Sequence, residues 1–364
     1  VNVQRNFDLV KSTWLYLMLA VLFIFLGSYV QGRDCYSGIF ITEYIIVFLP
    51  VILLGLATKV DMKKALRLNK IKFSTIWKTF LLSFALLPII AASNLLVITV
   101  LSYFGKVIIP DIPMAKNVAE FLVMFFLVAI SPGICEEVLF RGLIMNAFES
   151  HFNRKIGVVA AAVLFGIFHF NIQNILGPVI LGLVFGYLVQ VTNSIVTSIL
   201  LHTFNNGIAV VASYLASKST LATEASKLST QDLYNTPSVL VAQTIIFVLL
   251  ASASAILALA IIKSIVKDYR KVEINDKIII ASNTFVVIDK TNELAILSKE
   301  SELGSKDRTL KSLKLDDKKV KSLKRTLTVW TDKVKNPFEI KYFIPIGISV
   351  IMYFVILILQ LTKN

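Results

Sequence analysis

The 364-residue chain is 56% hydrophobic and 16% charged, against roughly 45–50% and about 25% in soluble domains, which excludes an ordinary water-soluble globule. Its net charge of +14 does not point to nucleic acid, because the cations lie in loops beside apolar runs, where lipid headgroups and topology account for them. Cys35 and Cys135 are far apart and form no C-x-x-C, so a disulfide framework is excluded as well.

Runs free of Asp, Glu, Lys and Arg cover residues 12–32, 79–105, 156–217, 237–262 and 342–362, and one membrane crossing needs ~20 such residues. The expected fold class is therefore all-α: a polytopic transmembrane helical bundle of about nine spans with a small basic cytosolic insertion. The spans fall at 12–32, 37–57, 79–103, 117–135, 156–170, 174–192, 194–214, 237–262 and 342–362. The first follows Arg5 and Lys11 as a signal peptide would, but it is long and lacks a small-residue cleavage pattern, so it reads as a retained span.

Residues 59–78 carry seven basic residues against the single acid Asp61. The positive-inside rule places this loop and the N-terminus in the cytoplasm of a cell with the chain in its plasma membrane. Alternation then puts 263–341, with 19 Lys plus Arg, inside and the C-terminus outside. Leu66, Leu68, Ile71, Phe73 and Trp77 among the lysines suit either an interfacial helix or a solvated loop. In the insertion, β-branched runs at 278–280 and 285–288 read as strands, and leucine spacing over 310–327 reads as a helix. No chemistry is visible there, and docking to the membrane surface or to a protein partner is the expected role. The organisation is thus 1–116 N-terminal helices with the basic loop, 117–215 catalytic core, 216–262 outer loop and eighth span, 263–341 basic appendage, and 342–364 C-terminal span.

An ionisable side chain within a bilayer costs ~2.5–3.5 kcal/mol on insertion scales, so its presence calls for a partner or a function. Residues 131–142 read SPGICEEVLFRG. On a helix, Glu137 and Arg141 are four apart with the acid first, the favourable orientation for an ion pair. Glu136, about 100° away, is left as the candidate base, with Pro132 and Gly133 expected to break or kink the helix and open a polar cavity. Residues 165–169 read FGIFH, and 200–207 read LLHTFNNG, with His202 and Asn206 on one helical face. His151, beside Arg154 and Lys155, reads as interfacial. Glu43 and Asn94 read as interfacial or interhelical hydrogen-bonding residues, and Gly177, Gly182 and Gly186 as close-packing positions.

Amide hydrolysis needs a base for water, donors for the tetrahedral oxyanion and exclusion of competing solvent. Glu136 supported by His169 supplies the first, and His202 with the Asn206 amide the second. The same Glu136, His169 and His202 also equal the ligand count of an open zinc site. Metal-free catalysis, with no cofactor, is preferred, since a zinc-bound Glu136 leaves no second free carboxylate unless Glu137 abandons Arg141.

Together, EEVLFRG at 136–142, FGIFH at 165–169 and HTFNN at 202–206 resemble the EExxxR, FxxxH and HxxxN motifs of the CPBP family. That family takes in CaaX prenyl endopeptidases and bacteriocin-processing or self-immunity (Abi) proteins. The resemblance implies an all-α core over 117–215, with Glu136 and His169 activating water, His202 and Asn206 lining the oxyanion site, and Glu137, Arg141 and Phe165 in support. It implies an intramembrane endopeptidase acting on a membrane-associated peptide: a prenylated tail, a bacteriocin leader or a pheromone precursor. The alternative is a non-catalytic scaffold or immunity protein on the same fold, and a proton-coupled transporter stands third.

Overall fold

A computed structural model describes residues 6–104, 115–218, 237–269, 277–280, 283–290, 294–299, 310–314 and 334–362. The chain divides into two units, Val1–Ile262 with Lys333–Asn364, and Lys263–Asp332. Residues 333–341, expected with the appendage, side with the helical unit.

The helical unit holds α1 (Leu9–Arg33), α2 (Cys35–Ala57), α3 (Phe73–Leu101), α4 (Val118–His151), α5 (Arg154–Phe168), α6 (Leu176–Thr192), α7 (Val196–Ser217), α8 (Pro237–Tyr269, whose last turns enter the second unit) and α9 (Ile344–Thr362). Seven helices among the described residues are long and apolar enough to cross a membrane, so the count of nine is not reached. The shortfall has a simple cause at α5: its 15 residues rise only about 22 Å, less than the ~30 Å hydrocarbon core.

The expected end of the fourth span at 135 is overturned, and of the expected break or kink at Pro132 and Gly133 the break is absent. α4 runs unbroken for 34 residues to His151. It does so by widening into π turns at Phe125–Ile130 and Val138–Ile144. Pro132 follows the first wide turn and sits at the start of the α-helical segment Ser131–Glu137, where its missing N–H costs little. Gly133 serves packing: a Cβ there would meet the Thr203 hydroxyl and come within 3.2 Å of the Ile199 carbonyl, so its absence lets α7 lie against α4.

The segment 59–72 is not one interfacial helix. It makes a single turn, Met62–Ala65, and is then stapled to the bundle. Arg67 pairs with Glu149 at 2.6 Å, Asn69 Nδ2 donates to the Asn193 carbonyl at 2.7 Å and Ser194 Oγ donates to the Asn69 carbonyl at 2.6 Å. Phe7 N donates to Asn146 Oδ1 at 3.0 Å, and Lys335 N to the Phe152 carbonyl at 3.1 Å. The residues just before α1, the basic loop, the end of α4 and the segment before α9 therefore gather at one end of the helical unit. Between the ends, Tyr16 donates to the Leu164 carbonyl at 3.0 Å and its ring meets Phe140 and Phe168, tying α1 to α4 and α5.

Among its described residues the second unit carries four antiparallel strands in sequence order: β1 (Lys277–Ile280), β2 (Asn283–Lys290), β3 (Leu294–Lys299) and β4 (Leu310–Lys314). The β-branched runs form β1 and β2. The expected helix over 310–327 is contradicted at its start, where residues 310–314 pair with β3; a short leucine spacing does not outweigh an available strand edge. Residues 315–327 lie outside the described residues.

Candidate functional site

α4 presents two adjacent carboxylates to different neighbours because successive helical residues diverge by about 100°. Glu137 is fully buried, and its Oε1 accepts from Arg141 NH1 at 2.7 Å and pairs with His202 Nδ1 at 2.9 Å. Arg141 reaches it from the next turn, the i to i+4 spacing placing both on one face. Its NH2 donates to the Gly182 carbonyl at 3.3 Å, and its guanidinium lies over the rings of Phe165 and Phe185 at 4.7 and 5.0 Å. A delocalised, weakly hydrated cation between two aromatic faces is the form of positive charge that tolerates burial best.

With Glu137 committed, Glu136 remains free of the arginine's hydrogen bonds. It is 9% exposed, and its Oε2 stands 3.8 Å from His202 Nε2, too long for a direct hydrogen bond. His202 thus joins the two carboxylates by opposite sides of one ring. The bond from Nδ1 to Glu137 fixes the ring's orientation and aims Nε2 toward Glu136.

His169 ends α5, where its Nδ1 lies 2.8 Å from the Phe165 carbonyl and its ring stands edge-on to Phe165 at 4.9 Å. Phe165 also contacts the His202 ring at 5.8 Å, so this one phenylalanine touches both imidazoles and the guanidinium. Asn206 lies one turn beyond His202 on α7, and its Nδ2 donates to the Val128 carbonyl at 3.1 Å. That carbonyl belongs to the wide turn Phe125–Ile130, whose geometry exposes backbone groups an ordinary α turn would consume.

The structure thus joins Glu136, Glu137, Arg141, Phe165 and His202 by direct contacts, places His169 against Phe165, and sets Asn206 against the wide turn of α4. The zinc alternative finds no support in geometry: among the described residues no three His, Cys, Asp or Glu side chains group as metal ligands.

One residue was passed over in the sequence. Glu43, expected at an interface or in an interhelical hydrogen bond, is buried at 6% exposure, in the wide turn Ile41–Phe48 of α2. α2 is held there by a hydrogen bond between Ser131 Oγ and Tyr44 Oη at 3.2 Å and by stacking of Tyr44 on Phe126. The available signal was a lone acid in the apolar run 37–57, which marks a buried carboxyl but not its neighbour.

Residues 118–208, about a quarter of the chain, match the family model described as Rce1-like, type II CAAX prenyl endopeptidase, of the CPBP family. The match agrees with the three motifs and contains every candidate catalytic residue, while Glu43 lies outside it. No curated protein and no solved structure matches the chain. The matched family is one of proteases, and the apolar helices make this a membrane protein.

Proposed function

We propose that the chain, its core matched to a prenyl endopeptidase family, is an intramembrane endopeptidase that cleaves a membrane-associated peptide with water activated by Glu136. The observation that carries this is the division of labour between neighbouring glutamates. Glu137 is spent on Arg141 and His202, and Glu136 faces His202 Nε2 at 3.8 Å with no Lys or Arg among the described residues bonded to it.

In the reaction, Glu136 takes a proton from water, the oxygen adds to the scissile carbonyl carbon, and the C=O π pair moves onto oxygen. With the His202 ring protonated at both nitrogens, Nδ1–H bonds Glu137 and Nε2–H is offered to the oxyanion. The Asn206 amide supplies the second donor by turning from the Val128 carbonyl or through its other N–H. Collapse returns the pair to carbon, the C–N bond breaks, and Glu136 passes its proton to the leaving nitrogen. His169, tethered through Nδ1 to the Phe165 carbonyl, positions the water.

Candidate substrates are a prenylated tail, a bacteriocin leader or a pheromone precursor. The plasma membrane is the proposed site, with the cation-rich end cytoplasmic by the positive-inside rule, and the strand-bearing unit is the proposed contact for a protein partner.

The test is Glu136→Gln, which keeps shape and removes the base. In proteoliposomes, cleavage of an internally quenched prenylated peptide with a Cys-aliphatic-aliphatic-X tail is expected to vanish while folding is retained. Residual cleavage at the wild-type rate would refute the assignment. Partner binding that fully explains the phenotype in the absence of any cleavage would favour the scaffold alternative, and loss of activity on chelation with stoichiometric zinc would revive the metal reading.

A further inference from the structure

Asn94 is a polar side chain on α3, a helix that the family match does not reach, and it lies in the middle of the charge-free run 79–105. At that depth a carboxamide needs partners, and its partners identify its role. Both of its polar atoms are used on one short segment. Nδ2 donates to Asn174 Oδ1 at 2.6 Å, and Oδ1 accepts from Gly177 N at 3.1 Å. The second bond is a helix cap supplied from another helix. α6 begins at Leu176 behind Ile175, whose side chain has no acceptor to offer, so Asn94 does for α6 what an N-cap side chain would do. Gly177 admits it: a Cβ there would come within 3.0 Å of Asn94 Oδ1 and of Ile90 Cγ2.

The segment held in this way is the return from His169. His169 closes α5, Phe170 turns in the left-handed region at φ 46°, and the 3-10 turn Ile172–Asn174 leads into α6. α5 itself grips His169 weakly. Its N–H reaches only the Gly166 carbonyl at 3.4 Å, longer than a usual hydrogen bond, while the Phe165 carbonyl that an α turn would offer lies 2.8 Å from Nδ1 of the His169 ring. The support comes instead from α6. Gly166 lies so close to its first turn that a Cβ would meet Val179 and come within 3.1 Å of the Ile175 carbonyl. Ile175 stands between the two residues that Asn94 holds. From this chain of contacts we infer that Asn94 is a positioning residue for His169, clasping the return from α5 to α6 so that the imidazole keeps its place at the candidate site. The inference rests on the hydrolytic reading, in which His169 positions the water, and it makes α3 part of the working enzyme.

The experiment compares Asn94→Ala, Asn174→Ala, Thr244→Val and Glu136→Gln by cleavage of the same quenched prenylated peptide in proteoliposomes, by thermal unfolding, and by NMR of ring-labelled histidine in micelles. The chain has three histidines, and His169→Ala identifies the signal of residue 169. Asn94→Ala is expected to lower kcat by about 30-fold, within the roughly 100-fold that a misplacement of about 1 Å can cost, with KM within about twofold. It is also expected to move the His169 signals while those of His151 stay. Asn174→Ala, which removes one of the two bonds and stands in should Asn94→Ala not fold, is expected to show both effects to a lesser degree. Thr244→Val breaks the 2.8 Å bond between Thr99 of α3 and Thr244 of α8, and is expected to lower Tm with kcat and the His169 signals unchanged. Unmoved His169 signals or a wild-type kcat in the folded Asn94 and Asn174 variants would overturn the inference. So would an equal loss of kcat in Thr244→Val, which would mark a general loosening of α3. An active Glu136→Gln would overturn the hydrolytic reading and this inference with it.

Discussion

Replacing Arg141 with methionine removes the guanidinium hydrogen-bonded to Glu137, at a site where both side chains are fully shielded from solvent. Breaking one partner of a buried ion pair costs about 3–5 kcal/mol. The same change removes the two aromatic contacts of the guanidinium and a donor to the Gly182 carbonyl. These contributions overlap, so we expect Arg141→Met to cost about 4 kcal/mol, a roughly 1,000-fold shift in the unfolding equilibrium. The double substitution Glu137→Leu with Arg141→Met removes both charges and should recover about 3 kcal/mol of that cost. Activity should not return with stability, because His202 Nδ1 then lacks the acceptor that orients its ring. The assay is equilibrium unfolding in mixed micelles against SDS mole fraction, followed by far-UV circular dichroism, with peptide cleavage measured on the same preparations. A double variant no more stable than the single one, or one that regains cleavage, would refute the coupling of Arg141, Glu137 and His202.

Asn206→Ala should lower kcat by about 100-fold or more, as loss of one oxyanion donor does, while the lost bond to the Val128 carbonyl costs only about 1 kcal/mol of stability; steady-state kinetics and unfolding on one preparation separate the two. Gly182→Ala should destabilise by about 1–3 kcal/mol, because a Cβ there comes within 2.7 Å of Ala162 Cα and forces α5 from α6. Lower cleavage at full substrate occupancy should accompany it, since the Gly182 carbonyl also holds Arg141.

The membrane-crossing architecture was legible because uninterrupted apolar runs have few solutions in a bilayer, and the strand pair at β1 and β2 because β-branched clusters flanked by turn residues have few in water. The pairing of Glu137 with Arg141 was legible from helical periodicity alone. Continuity of α4 through Pro132 was not, since a proline breaks an ideal α-helix and sequence does not reveal that a wide turn just before it absorbs the missing N–H. The strand at 310–314 was missed because leucine spacing reports a local preference, whereas β4 is fixed by pairing with residues about 12–20 positions earlier. Glu43 was recorded but undervalued for the same reason. Its burial follows from the packing of α2 on α4, where Tyr44 meets Ser131 across 87 residues of chain, which only the fold supplies.

The two glutamates of α4 are successive residues of one helix, which has a mechanical consequence. Sliding that helix by a single position, about 1.5 Å with a turn of about 100°, would drag Glu137 off the His202 ring of α7 and Arg141 off the Gly182 carbonyl of α6 along with moving Glu136. These two inter-helix bonds thereby hold Glu136 in place as firmly as they hold its neighbours. If the site admits a peptide as proposed, the passage has to form by displacement of helices other than α4, α6 and α7.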